Sequence, residues 1–143
     1  MASKFSELVK LNFLPTSANC GLFALRVWLG LSMLLIHGLG KIQKFSATVA
    51  HFHDTLHVPV FIAWIAAAVE SVCGALLVIG FLTRFSALVL AVQMAVAFYF
   101  VHHMNLDPTS AQSGERAFLY LAGFVALFLG GGGILAVDGK SGK

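Results

Sequence analysis

Charge is scarce in this sequence: Asp, Glu, Lys and Arg together make up 10% of its 143 residues. A water-soluble domain carries about a quarter. Too few charges are present to cover a water-facing surface, so lipid is expected to cover much of the chain. The net charge is +3, and no basic stripe exists, which excludes nucleic acid as a partner. Lys4, Lys10, Lys140 and Lys143 stand at the ends, where basic residues set membrane orientation. There are two cysteines, Cys20 and Cys73. They are too few for a disulfide framework and too far apart for a CxxC dithiol. No nucleotide-binding glycine loop appears. Gly130–Gly133 follows an apolar helical stretch rather than a strand, and reads as helix termination. No short apolar stretch with a small-residue cleavage site precedes the first long apolar run, so no cleavable signal is expected.

Hydrophobic residues are what the chain has instead, at 59%, with a mean hydropathy of +0.90. A membrane-crossing helix needs about 20 mostly apolar residues. Four stretches offer that: 20–40, 59–82, 85–102 and 116–137. The expected fold is therefore all-α, an integral membrane four-helix bundle forming one domain over 1–143. Between the first two spans, Ile42, Phe45, Val49, Phe52 and Leu56 recur at spacings of three and four. That period predicts an amphipathic helix over about 42–57, lying at the membrane interface. Phe5, Leu8, Val9 and Phe13 predict a short surface helix over 3–14. Four crossings return both termini to one side. That side carries Lys4, Lys10, Arg84, Lys140 and Lys143, against Lys41, Lys44 and Arg116 opposite. The excess places both termini in the cytoplasm.

Ionisable groups within a membrane are costly and face the bundle interior. Arg26, His37 and Glu70 lie inside expected spans. Counting from the cytoplasmic side at ~1.5 Å per residue puts Arg26 roughly 10 Å deep and Glu70 roughly 14 Å deep, with Gln93 at a similar level. The expectation is a buried polar layer of Arg26, Glu70 and Gln93, with Arg26 and Glu70 paired. A second layer is expected at the far side. His37 and Lys41 end the first span, His102 and His103 end the third, and Glu115 opens the fourth. Histidine there is suited to moving protons near neutral pH or to hydrogen bonding a quinone carbonyl. His53 and His57, four apart on the amphipathic segment, are weak metal candidates, without the glutamate of an HExxH arrangement. Haem between His37 and His102 is a further option, with no CxxCH attachment motif.

These residues carry a family likeness. Arg26, Gly30, His37-Gly38 and Lys41 resemble the opening block of the DoxX family of small bacterial membrane proteins. Pro59 leading to Glu70, Gly74 and the Gly80-Phe81-Leu82-Thr83-Arg84 turn resembles its second block, and Glu115 and the stretch from Gly131 to Asp138 fit its end. The family ending commonly has Gly-Pro-Gly before a basic residue and an aromatic, whereas this chain reads Gly131-Gly132-Gly133-Ile134-Leu135. The resemblance covers about residues 20–138. It implies a four-helix protein of the bacterial inner membrane linked to redox metabolism, related to the DoxD-type subunit of thiosulfate:quinone oxidoreductase. Quinone is the cofactor it implies, and another redox protein or a second copy the partner. Three roles follow: a quinone-linked redox subunit, a non-catalytic scaffold or assembly partner, or a small solute or proton transporter.

Overall fold

The structure, a computed structural model, describes residues 17–50 and 59–140. Their regular structure is all helical, with no strand among the described residues. The first rod, α1, runs Ala18–Gln43. Its start is capped by the Ser17 hydroxyl, which accepts the Cys20 N–H at 3.1 Å. A short helix, α2 (Phe45–Ala50), follows. Then come α3 (Val60–Ile79), α4 (Thr83–Val101) and α5 (Glu115–Gly130). The rods α1, α3 and α4 are long and apolar enough to cross a membrane.

The stretch expected at 116–137 is helical only over the 16 residues of α5, about 24 Å at the usual rise. That falls short of the ~30 Å hydrocarbon layer. The remainder, Gly131–Val137, turns back over the α3–α4 junction. Of the amphipathic helix expected over 42–57, residues 42–50 are described: Ile42 and Gln43 finish α1, Lys44 ends it, and α2 takes up Phe45–Ala50. Residues 51–58, with His53 and His57, and the helix expected over 3–14 lie outside the described residues.

The helices pack in a ring: α1 on α3, α3 on α4, α4 on α5, and α5 back on α1. Met33, Leu77, Leu90, Phe124 and Leu127 fill its centre without exposure. Small residues bring α1 and α3 together. A Cβ on Gly30 would lie 2.9 Å from the Gly74 carbonyl oxygen, so only glycine lets the backbones meet there. The outer surface is apolar. Trp28 is 76% exposed, Ile36 and Phe100 67%, and Leu129 68%, whereas Arg26 and Glu70 are 1% exposed. Large apolar side chains outside and charges inside is the arrangement of a lipid-facing bundle.

Tight turn chemistry joins α3 to α4. Gly80, at φ 77, ends α3, with Phe81 N–H donating to the Leu76 carbonyl and Gly80 N–H to Leu77. This is the paired closure that a left-handed glycine permits. Two wider turns interrupt the long rods. Over Ser32–Gly38 in α1 and Ala97–Val101 in α4 the backbone bonds reach five residues back, as in Leu39 N–H to Leu34 and His102 N–H to Ala97. Such π-turns insert an extra residue per turn and re-aim the side chains that follow.

Candidate functional site

Both π-turns border the same space. A cavity of about 550 Å³ opens between the helices and is lined by both π-segments, including His37, Ala97 and Phe100. That volume lies within the range of small-molecule sites. Its walls are mostly apolar, from Ile62 and Ala66 on α3 and Met94 and Val96 on α4. Into them project His37 and Lys41 from α1, Glu70 from α3, Gln93 from α4, and Arg116 and Tyr120 from α5, with His102 in the following loop.

Glu70 is the centre of the polar network. Lys41 Nζ sits 2.7 Å from its Oε1, and Gln93 Nε2 donates to the same oxygen at 2.8 Å. Lys41 reaches Glu70 because α1 is helical again past its π-turn, with Lys41 in its last turn. The Lys41 side chain is 27% exposed while Glu70 is 1% exposed, so the pair joins the cavity mouth to the interior. A charge-assisted bond of this length is among the stronger kinds. The other oxygen, Oε2, is buried without a hydrogen-bond partner among the described residues.

The opposite wall is ordered by Tyr120. Its hydroxyl bonds that of Ser32, and its ring meets His37 edge-on with centroids 5.2 Å apart. His102 Nδ1 lies 3.0 Å from the Gln112 carbonyl. A carbonyl only accepts, so Nδ1 carries the hydrogen and Nε2 is left for other contacts. The loop beyond folds on itself: Asp107 accepts the Thr109 N–H at 2.9 Å and its hydroxyl at 2.7 Å. Those bonds hold the Asp107 carboxyl below its ordinary range.

The expected layer of Arg26, Glu70 and Gln93 forms only in part. Glu70 and Gln93 meet, but Arg26 does not pair with Glu70. Its Nη1 donates to the carbonyls of Leu77 at 2.6 Å and Val78 at 2.9 Å, and its Nε to Gly132 at 2.9 Å. Those α3 carbonyls lie seven and eight residues beyond Glu70, about 10–12 Å along the axis. Counting depth from flush helix ends fails because α1 starts well outside the end of α3. The cation that reaches Glu70 is Lys41.

The second expected layer also resolves unevenly. His37, Lys41 and His102 line the cavity. His103 does not; it is exposed, with a left-handed backbone at φ 49. Glu115 is exposed too, at the first turn of α5, where a carboxylate complements the helix dipole. Arg116 and Tyr120 take its place, and sequence reasoning passed over both. Their spacing of four, with Ala117 and Phe124 buried beside them, is the helical signal that marks this face.

Arg26 belongs to a polar junction at the other end of the bundle. The Asp138 carboxylate accepts the N–H groups of Leu82 at 2.8 Å and Thr83 at 2.7 Å, capping α4 from more than fifty residues away. Asp138 N–H in turn donates to the Gly80 carbonyl at 3.0 Å. Burial raises the Asp138 pKa, but the Thr83 and Leu82 N–H groups and the Arg26 charge outweigh it and hold the carboxyl below its ordinary range. Leu82, at φ 51, is held in this strained turn by that cap.

Comparison with known proteins gives a consistent picture. A family model described as DoxX matches residues 21–103, which include Arg26, His37, Lys41, Glu70, Gln93 and His102 but not Arg116 or Tyr120. A Haemophilus influenzae protein of uncharacterised function is 32% identical over 111 residues, covering 76% of this chain and 81% of its own. A Bacillus subtilis protein named as a proposed oxidoreductase, CatD, is 30% identical over 122 residues, covering 85% of this chain and 87% of its own. No solved structure matches the chain.

Proposed function

The chain belongs to the DoxX family of multi-pass membrane proteins, and from that footing we propose that it is a quinone-binding membrane subunit that works with a second redox protein. The observation that carries this reading is the cavity: an apolar space of about 550 Å³ within the bundle, into which polar groups converge from α1, α3, α4 and α5. A quinone head group is a flat ring with two carbonyl acceptors, and it supplies two-electron, two-proton chemistry when bound. The residues fit such a group. His37, Lys41, Gln93, His102, Arg116 and Tyr120 carry donors, and Ile62, Met94, Val96 and Phe100 supply apolar walls.

Each residue has a distinct task. Arg116 and Lys41 hold acceptor oxygens by charge. His37, against the Tyr120 ring, takes up or hands on a proton through its imidazole. Glu70, fixed by Lys41 and Gln93, stands where a proton is exchanged between the cavity and the mouth. Electrons come from the partner protein. The name of the Bacillus relative, a proposed oxidoreductase, points in the same direction. We place the chain in the bacterial inner membrane with four crossings, α5 and the turn after it completing the fourth, and with both termini in the cytoplasm.

The test is quinone-analogue binding to the purified protein in nanodiscs. The wild type is expected to bind, and His37→Ala to bind less tightly. Binding unchanged by that substitution removes His37 from the site. No binding at all, with a redox protein co-purifying, replaces the proposal with a scaffold role.

A further inference from the structure

The Glu70 carboxylate is satisfied on one side only. Oε1 receives both Lys41 Nζ at 2.7 Å and Gln93 Nε2 at 2.8 Å. Oε2 receives nothing among the described residues, although the side chain is 1% exposed. A buried acceptor without a donor is costly. Glu70 lines the cavity, so an occupant of the cavity is the natural source of that donor.

This requirement separates the two redox forms of a quinone. The oxidised form offers acceptor oxygens only, and set against Oε2 it places two acceptors together. The reduced form offers hydroxyl donors. Lys41 Nζ, 2.7 Å from Oε1, pairs with Glu70 as a salt bridge, and a carboxylate held in such a pair presents its second oxygen as an acceptor. Resting on the reading of the cavity as a quinone site, we propose that it selects the reduced, hydroxyl-bearing form, an aromatic diol that donates one hydroxyl to Glu70 Oε2. His37, Arg116 and Tyr120 face the rest of the ligand and serve both forms, since each side chain has a donor to offer. Glu70 alone contributes an acceptor that only the diol satisfies.

A redox-inert pair of probes tests this without electron transfer: a 5-alkylresorcinol, and its dimethyl ether with the same tail. The diol keeps both donors, and the ether has acceptors only. Binding of each to the protein in nanodiscs is measured by titration calorimetry. The wild type is expected to favour the diol by roughly tenfold to a hundredfold, the worth of one hydrogen bond to a buried charge. In Glu70→Gln the amide oxygen takes over from Oε1 and the amide N–H₂ faces the cavity. A phenol oxygen and an ether oxygen both accept from that N–H₂, so the variant is expected to lose the diol preference, and its retained binding of the ether shows that it is folded. Equal binding of the two probes by wild type overturns the selection. A diol preference that survives in Glu70→Gln removes Glu70 as its source. Failure of wild type to bind either probe overturns instead the reading of the cavity as a ligand site, on which the selection rests.

Discussion

Replacing Arg26 with alanine removes three hydrogen bonds together: to Leu77 at 2.6 Å, to Val78 at 2.9 Å and to Gly132 at 2.9 Å. The Leu77 oxygen keeps the Gly80 N–H at 3.1 Å, so the loss falls on Val78 and Gly132. An orphaned acceptor costs about 1–3 kcal/mol when fully buried, so the half-buried Val78 and Gly132 carbonyls together give at most about 2–6 kcal/mol on that basis. Removing the guanidinium also removes its own burial cost, which offsets part of this. The expected net loss is about 2–4 kcal/mol. The protein carries its own reporter: Cys73 is buried and Cys20 exposed. In a Cys20→Ser background, a thiol-reactive fluorogenic dye reads the unfolding of α3 through Cys73 during heating. A loss below about 1 kcal/mol refutes the assignment of Arg26 as the clasp joining α1, α3 and the Gly131–Gly133 turn. A double-mutant comparison sharpens the test. Arg26→Ala and Glu70→Gln should add within about 0.5 kcal/mol, because the groups share no partner, whereas Arg26→Ala and Asp138→Asn should couple by more than that. The opposite pattern refutes the geometry at both ends of the bundle.

Lys41→Met is expected to destabilise by roughly 3–5 kcal/mol, since it strips a buried carboxylate of its cation; Glu70→Gln in the same chain should restore part of that loss in the thiol assay. Gly30→Leu is expected to open the α1–α3 contact, because the neighbours of its Cβ include the Gly74 carbonyl and the Val78 backbone nitrogen, both at 2.9 Å. The overpacking penalty is about 1–3 kcal/mol or more, read as a lowered unfolding temperature. The Asp138 cap should be acid-labile. Its folded pKa is depressed, so its contribution is complete above the unfolded value of about 3.9 and fades as pH falls through the folded value. Unfolding curves of wild type and Asp138→Asn should therefore differ at neutral pH and converge in acid, and a gap that stays constant with pH would rule out the cap as its cause.

Scarcity of charge and the lengths of apolar runs are enough to read helices and a membrane setting from the sequence, because bilayer thickness fixes both. Which polar groups meet is a harder matter, and α1 shows why. Arg26 and His37 are eleven residues apart, which regular 100° steps return to one face. The π-turn over Ser32–Gly38 changes that step between them. Arg26 then serves the carbonyls at the end of α3, and Lys41, three residues past the π-turn, becomes the partner of Glu70. The same effect in α4 sets Ala97 and Phe100 along the cavity just before His102. A π-turn leaves little trace in hydrophobic periodicity, and helix ends offset along the membrane normal leave none, so depth counted from each end pairs the wrong cation with Glu70. Yet the Gly30–Gly74 crossing next to the π-turn requires α1 and α3 to touch, and that contact holds Glu70 within reach of α1 whichever cation arrives. The carboxylate's neighbourhood is thus set by small residues that sequence shows plainly, and its partner by a local change of helical pitch that sequence does not.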